Sequence, residues 1–448
     1  MSYYKRNILK ELVIWKKDKN RKPLIIRGAR QTGKTVAVEL FAESFSNFIH
    51  LNLERDSDRN VFENSPSVEA ACQGIELLKG KNPFQPDTLL FIDEIQNSSK
   101  AISLLRFFYE DHPEIFVICA GSLLEAIMKK DGFAFPVGRV EFLYMHPLTF
   151  DEYLTAGGNE RVLNQLQHAT GKTPPSRNLH EISSELFREY AFVGGMPAVV
   201  KDFIESKSYT RTADIKEAIF TALKDDVSKY SHIGEAKYLR HVIEYAPYSV
   251  GERIKYEKFG NSAYRGREIK HAFELLEYAM IGERVYGAFA TESPVMPNFR
   301  VSPKILYLDS GLVIHKLGLT PETRNVVDLN SLFRGTFAEQ VAGQALAAKN
   351  VRKKNPLCFW YRNTPGSIAE TDYLCLIDGK LVPIEVKSGK AGSLKSLYQF
   401  MSASSAKTAV RFYSGELKQE DISFKNRKFN LISIPFYLMW RFEDILED

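Results

Sequence analysis

Gly28-Ala29-Arg30-Gln31-Thr32-Gly33-Lys34-Thr35 decides how the rest of the chain is read. It fits G-x-x-x-x-G-K-[S/T], the pattern of a phosphate-binding loop. A triphosphate is polyanionic, so its site must offer many N–H donors at close range. Gly28 and Gly33 let the backbone curl round the phosphates without side-chain clashes. Ala29, Arg30, Gln31 and Thr32 make up the rest of the cradle, and Val36 follows it. Lys34 supplies a point charge for the β- and γ-phosphates, and the Thr35 hydroxyl is placed to ligate Mg²⁺. Leu24-Ile25-Ile26 reads as a buried strand before the loop, and Val36 to Ser44 as a helix after it. The loop would therefore aim a helix N-terminus at the phosphates. A chance match in a glycine-containing turn would lack that setting.

Working outward, Phe48 to Leu53 is a second apolar run. Thr88-Leu89-Leu90-Phe91-Ile92-Asp93-Glu94 is a third and ends in two carboxylates. Asp93 would hold Mg²⁺ through water, and Glu94 would polarise the attacking water as general base. Acidic pairs often end strands, so this pair gains its meaning from the loop upstream. Ile115 to Ala120 is another buried strand, ending at Gly121-Ser122. Ser122 is a candidate sensor of the γ-phosphate, or the N-cap of a helix from Leu123 onward. Arg139 could neutralise charge on the transferring phosphoryl group in its own or a neighbouring subunit, or be a solvated surface arginine. Strands alternating with helices predict an α/β fold with a parallel sheet.

Here a resemblance becomes specific. Residues 20–155 resemble AAA-type P-loop ATPases in which a catalytic glutamate follows the Mg²⁺ aspartate. The phrases Arg27 to Thr35, Phe91-Ile92-Asp93-Glu94-Ile95-Gln96 and Pro147-Leu148-Thr149-Phe150 are similar to one bacterial and archaeal subgroup. Its members carry a C-terminal domain of uncharacterised function. Gly194-Gly195-Met196-Pro197 and Lys304 to Leu312 resemble the same subgroup. The resemblance implies ATP and Mg²⁺ as cofactors.

Composition bounds the reading. The 448 residues suggest two to four domains. The 44% hydrophobic and 26% charged content suits a globular chain, and a net charge of +5 permits nucleic-acid binding without demanding it. Cys72, Cys119, Cys358 and Cys375 are scattered without metal-ligand spacing, as in a reducing, cytoplasmic setting. Met1 to Lys19 carries charges throughout, so no secretory leader is expected there. No apolar run approaches the roughly 18 residues that would span a bilayer, so no membrane partner is expected. A homo-oligomer is allowed.

The expected divisions are an ATPase core (1–155), a linker and helical lid (156–230), a winged-helix segment (231–300) and a C-terminal α/β domain (301–448). Residues 160–180 read as a polar linker. Helix resumes over Glu181 to Phe192, turns at Gly194-Gly195, and continues to about Tyr230. Within 231–300, Ile254 to Phe259 and Gly266 to Ile281 read as the two helices of a helix-turn-helix. Ile269, Phe273, Leu276 and Met280 share one face. Arg265, Arg267 and Lys270 stand where such a helix meets the major groove, pointing to DNA as partner. A solvated hairpin packed on protein is the alternative.

The C-terminal region reads as helix 331–349, strands 357–362, 370–378 and 381–387, helix 393–403 and strand 408–414. That order is the one found in restriction-endonuclease-like cores. Asp372 lies in the second strand, and Glu385-Val386-Lys387 ends the third. Glu385 and Lys387 share a face because strand side chains alternate. Two carboxylates on neighbouring strands can hold Mg²⁺ against a scissile phosphate, with Lys387 orienting water and Glu339 completing the set. This is similar to the PD-(D/E)xK nuclease signature, with Thr371 in place of the proline. A nuclease-like fold that binds nucleic acid or dimerises without cutting is the alternative.

Overall fold

The computed structural model describes residues 4–122, 135–228, 234–319, 335–349, 351–352, 356–364, 367–389 and 392–447. The helix expected from Leu123, and residues 331–334 of the helix expected over 331–349, lie outside them. Two compact units are present. The first comprises residues 1–146 with the short segments 278–280 and 350–354, and the second comprises the remainder. The main segment of the first unit ends at His146.

In the first unit, α1 (Ile8–Lys17) precedes β1 (Leu24–Arg27) and α2 (Lys34–Ala42). Then come β2 (Asn47–Asn52), α3 (Asp56–Glu63), α4 (Val68–Lys79), β3 (Thr88–Asp93), α5 (Ser99–Glu110), β4 (Phe116–Gly121) and β5 (Glu141–Tyr144). The sheet is wholly parallel, in the order β2-β3-β4-β1-β5. The apolar strand runs are unbroken because helices cover both faces, as parallel sheets require. Alternate residues go to opposite cores. Ile25, Leu51, Leu90, Ile92 and Cys119 pack with Phe62, Ile75 and Leu105 of α3–α5. Leu24, Ile26, Phe91 and Ile118 pack with Leu12, Trp15, Val38 and Phe41 of α1 and α2. Each of these larger apolar side chains contributes about 1.5–3 kcal/mol on burial.

The second unit opens with α6 (Phe150–Ala156), α7 (Glu160–Gln167), α8 (Arg177–Val193), α9 (Pro197–Ser206) and α10 (Tyr209–Ser228). Residues 160–167 form a helix where a linker was expected, because Leu166 is fully buried and anchors an otherwise polar turn. Next are α11 (Ala236–Tyr245), α12 (Gly266–Tyr278), β6 (Gly282–Ala288), β7 (Lys304–Tyr307) and α13 (Ser310–Lys316). Ile254 to Phe259 is not an α-helix. Arg253 bridges Lys304 of β7 and Lys258 adopts a left-handed φ of 58°, leaving only a 3₁₀ turn at Phe259–Asn261. Then follow α14 (Thr336–Ala348), β8 (Cys358–Thr364), β9 (Ser367–Ile377), β10 (Lys380–Lys387) and α15 (Lys395–Ala403). The chain continues through β11 (Thr408–Tyr413), β12 (Lys418–Phe424), β13 (Arg427–Pro435) and α16 (Phe442–Glu447). One eight-stranded sheet, β12-β13-β11-β10-β9-β8-β6-β7, runs through the unit. The expected boundary at 300/301 therefore falls inside a sheet, since β6 pairs with both β7 and β8.

Candidate nucleotide site and carboxylate cluster

The phosphate loop runs from the end of β1 into α2. Gly28 has no alternative, because a Cβ there would stand 2.4 Å from the Met145 carbonyl oxygen. Gly33 takes a left-handed φ of 93° at the N-cap of α2. The buried Lys34 ammonium donates to the carbonyls of Gly28 and Ala29, each at 2.9 Å, so it lies inside the loop. Thr35 Oγ1 donates to Asp93 Oδ2 at 2.8 Å. That contact joins the two oxygens expected around Mg²⁺, and an all-oxygen donor set suits the ion. Arg30, with an Nη 3.9 Å from Glu54 Oε1, is partly exposed at the loop. Gln31 has a φ of 64°. Thr32 is fully buried and donates to Ala29 O at 2.9 Å. Val36 lies in the first turn of α2.

Glu94 follows Asp93 with φ 53° and ψ 44°. A non-glycine residue held there stores on the order of 1–3 kcal/mol of strain, a pattern met at functional sites. Burial pushes its carboxyl above the usual carboxylate range, while a hydrogen bond donated by Gln96 Nε2 and the charge of Lys34 pull the other way. Ser122 is buried at the end of β4, which lies between β1 and β3. It therefore stands between the loop strand and the Asp93 strand.

Arg139 does not join these groups. It precedes β5, whose Tyr144 lies beside Arg27 at the loop end, so Arg139 sits at the opposite edge of the sheet. There it donates to Glu110 Oε1 at 2.6 Å at the end of α5. Strand polarity thus puts it at the end of the sheet away from the phosphate loop.

Two residues given no role from sequence belong to the site. Gln96 is buried against Gly121, where a Cβ would meet Gln96 Oε1 at 2.5 Å. The phrase that contains it was the available signal. Arg6, ahead of α1, donates to Thr32 O at 2.8 Å and to His146 O at 2.6 Å. No local pattern marks it.

In the second unit, Arg265, Arg267 and Lys270 are exposed at the start of α12, while Ile269, Phe273 and Leu276 are buried and Met280 is part-buried beyond the helix. Asp372 on β9 and Glu385 on β10 are adjacent in register, since Tyr373 pairs with Ile384. Asp372 Oδ2 accepts from Val386 N at 2.7 Å, and Lys387 Nζ donates to Glu385 Oε1 at 2.6 Å. Glu339 of α14 turns to Lys304 instead, 2.7 Å from its Nζ. Burial and the neighbouring Asp372 charge push Glu339 and Glu385 above the usual carboxylate range. Among the described residues, no group of three or more His, Cys, Asp or Glu is arranged to hold a metal ion.

Residues 20–154 match the family model described as an AAA domain. This unit is thus a P-loop ATPase domain of the AAA kind. Residues 184–323 and 334–437 match two further models, each described as a domain of unknown function, DUF8612 and DUF4143. No curated protein matches the chain. Solved structures that align with the chain include the Walker-type ATPase of Pyrococcus abyssi, at 12% identity over 70% of this chain and 96% of that one, with a TM-score of 0.45. The Aeropyrum pernix Orc1 protein in complex with DNA aligns at 14% over 72% and 93%, TM-score 0.30. A structure of Thermotoga maritima RuvB aligns at 13% over 66% and 92%, TM-score 0.28. Among the described residues no helix is long and apolar enough to cross a membrane.

Proposed function

We propose that the chain binds and hydrolyses Mg·ATP in its first unit and uses the nucleotide state to set how its second unit engages DNA. The observation that carries the hydrolytic reading is the contact of Thr35 with Asp93, with Glu94 the next residue. Backbone N–H groups of residues 28–36 and the Lys34 ammonium hold the phosphates. Thr35 and Asp93 hold Mg²⁺, which supplies charge neutralisation at the β- and γ-phosphates when bound. Glu94 takes the proton of the attacking water, and Ser122 contacts the γ-phosphate. Arg139, 44% exposed as a side chain, acts only from a neighbouring subunit of a homo-oligomer.

The DNA reading is supported by α11, the 3₁₀ turn, α12 and the β6–β7 hairpin, which follow winged-helix order, with Arg265, Arg267 and Lys270 exposed. ATPase rate and duplex-DNA affinity, each measured with ATP, ADP and no nucleotide, test both halves together. Lys34→Ala abolishes turnover. A DNA affinity indifferent to nucleotide, and a rate indifferent to DNA, overturn the coupling.

A second reading is cleavage by the C-terminal region, whose elements follow restriction-endonuclease-like order. It is favoured by Asp372, Glu385 and Lys387 lying together, and by Glu385 Oε2 being buried without a hydrogen-bond partner. Mg²⁺-dependent nicking of plasmid that Glu385→Ala removes would establish it.

A further inference from the structure

The carboxylates of the C-terminal cluster already surround a cation, and it is a side chain. Lys304 enters from β7, far upstream of the strands that carry Asp372 and Glu385. Its Nζ lies 2.7 Å from Glu339 Oε2, 2.6 Å from Glu370 Oε1 and 3.8 Å from Asp372 Oδ1. Only 7% of the side chain is exposed. Burial works against its charge, yet Glu339, Asp372 and Glu370 hold it protonated, with the ammonium stabilised above its ordinary value. Two more cations complete the arrangement. Arg253 Nη2 is 2.6 Å from Glu370 Oε2, and Lys387 Nζ is 2.6 Å from Glu385 Oε1.

A Mg²⁺ ligated by Glu339 and Asp372 would sit at about 2.0–2.1 Å from their oxygens. Those oxygens face the Lys304 ammonium, so the ion would enter against a buried positive charge in a medium that screens poorly. The residues present do not fit the metal cage of Glu339, Asp372 and Glu385. We propose that Lys304 is the resident cation of this cluster, a tethered ammonium in the place of a divalent ion. The cluster then works as a metal-free fastening of β7, the outer strand of the winged-helix-like segment, onto α14 and β9. This goes beyond the first proposed function, does not depend on nucleotide, and stands against the metal-dependent cleavage of the second reading.

The test is Mn²⁺ binding to nucleotide-free, full-length protein, read from the electron paramagnetic resonance of free Mn²⁺. The Asp93→Asn background keeps the nucleotide site from contributing an ion. With Lys304 in place, no saturable site is expected, and Glu339→Gln or Glu385→Gln changes nothing. Lys304→Ala gains one saturable site, and adding Glu339→Gln removes it again. Lys304→Arg keeps the cluster closed. A saturable Mn²⁺ in the parent that Glu339→Gln or Glu385→Gln releases overturns the proposal. If Lys304→Ala does not fold, the parent and its two glutamine variants decide the question alone.

Discussion

Arg6 lies outside the stretch matched by the AAA model, and its removal probes how the phosphate loop is held. Its guanidinium makes two charge-assisted bonds, to Thr32 O at 2.8 Å and His146 O at 2.6 Å. Bonds of this kind contribute about 1.5–3 kcal/mol each. Only the first bears on the loop. In Arg6→Ala the loop loses that restraint, and nucleotide must order it on binding. A penalty of about 1.5–3 kcal/mol corresponds to roughly ten- to hundredfold weaker binding, at about 1.4 kcal/mol per tenfold. Titration of a fluorescent ATP analogue measures it, with thermal unfolding as the control for folding. The second bond predicts a lowered Tm in the same variant. A folded Arg6→Ala protein whose affinity stays within twofold of the parent would refute the reasoning and leave Arg6 a brace for the chain near His146.

Glu94→Gln should lower kcat by about 10²–10⁴-fold while leaving ATP binding intact, since general-base contributions are of that size; steady-state kinetics beside a binding titration check it. Glu94 must be deprotonated to act, and burial raises its pKa, so the acid limb of the kcat–pH profile should lie above that of an ordinary glutamate. Gln96→Ala removes a hydrogen bond that favours the charged form, so the limb should move to still higher pH; a limb moving to lower pH would contradict the assignment. Gly194→Ala should destabilise the second unit in urea melts, because φ is +84° and the new Cβ would stand 2.2 Å from Asp309 Oδ1. Arg265→Glu and Arg267→Glu should weaken DNA binding and flatten its dependence on salt, as loss of phosphate contacts requires; unchanged slopes would remove α12 from the interface.

What the sequence made legible was local. The phosphate loop, Asp93 and Glu94 follow from short patterns whose chemistry is carried by neighbouring residues. The helix and strand positions over 336–413 follow from their strand-like and helical runs. What it hid was set by long-range geometry. Arg139 looked close to the loop in kind, but a residue before a parallel strand lies at the opposite sheet edge from one that follows its neighbour. Ile254 to Phe259 has an apolar rhythm, yet the bridge from Arg253 to Lys304 holds it extended there. Lys304 opens a phrase that resembles the subgroup but has no role in it, and Glu370 carries no motif; their meaning appears only when β7 and β9 come together.

Two of the buried acidic sites described in the second unit have different solutions. At the first, Gly194-Gly195 and Asp309-Ser310-Gly311 meet across more than a hundred residues. Asp309 accepts from Gly195 N at 2.6 Å and Leu312 N at 3.1 Å. A Cβ on Gly311 would lie 2.2 Å from Val193 O, so both glycines serve the same close approach. Leu148 N donates to Gly195 O at 2.7 Å, bringing the Pro147 to Phe150 phrase into the same knot. Burial raises the Asp309 pKa, and the backbone donors oppose that. Burial likewise lowers the neighbouring Lys216 to about 8, with Asp309 pulling it back up. At the second site the carboxylates have Lys304 and Arg253, and a close cation replaces most of the backbone donors. Removing Lys304 from the second site leaves buried carboxylates uncompensated, a loss of about 3–5 kcal/mol for buried ion pairs. Phrases that resemble the subgroup in sequence therefore act, in the knot, as joints between distant segments. In the carboxylate cluster the close cation is Lys304, supplied by the chain itself.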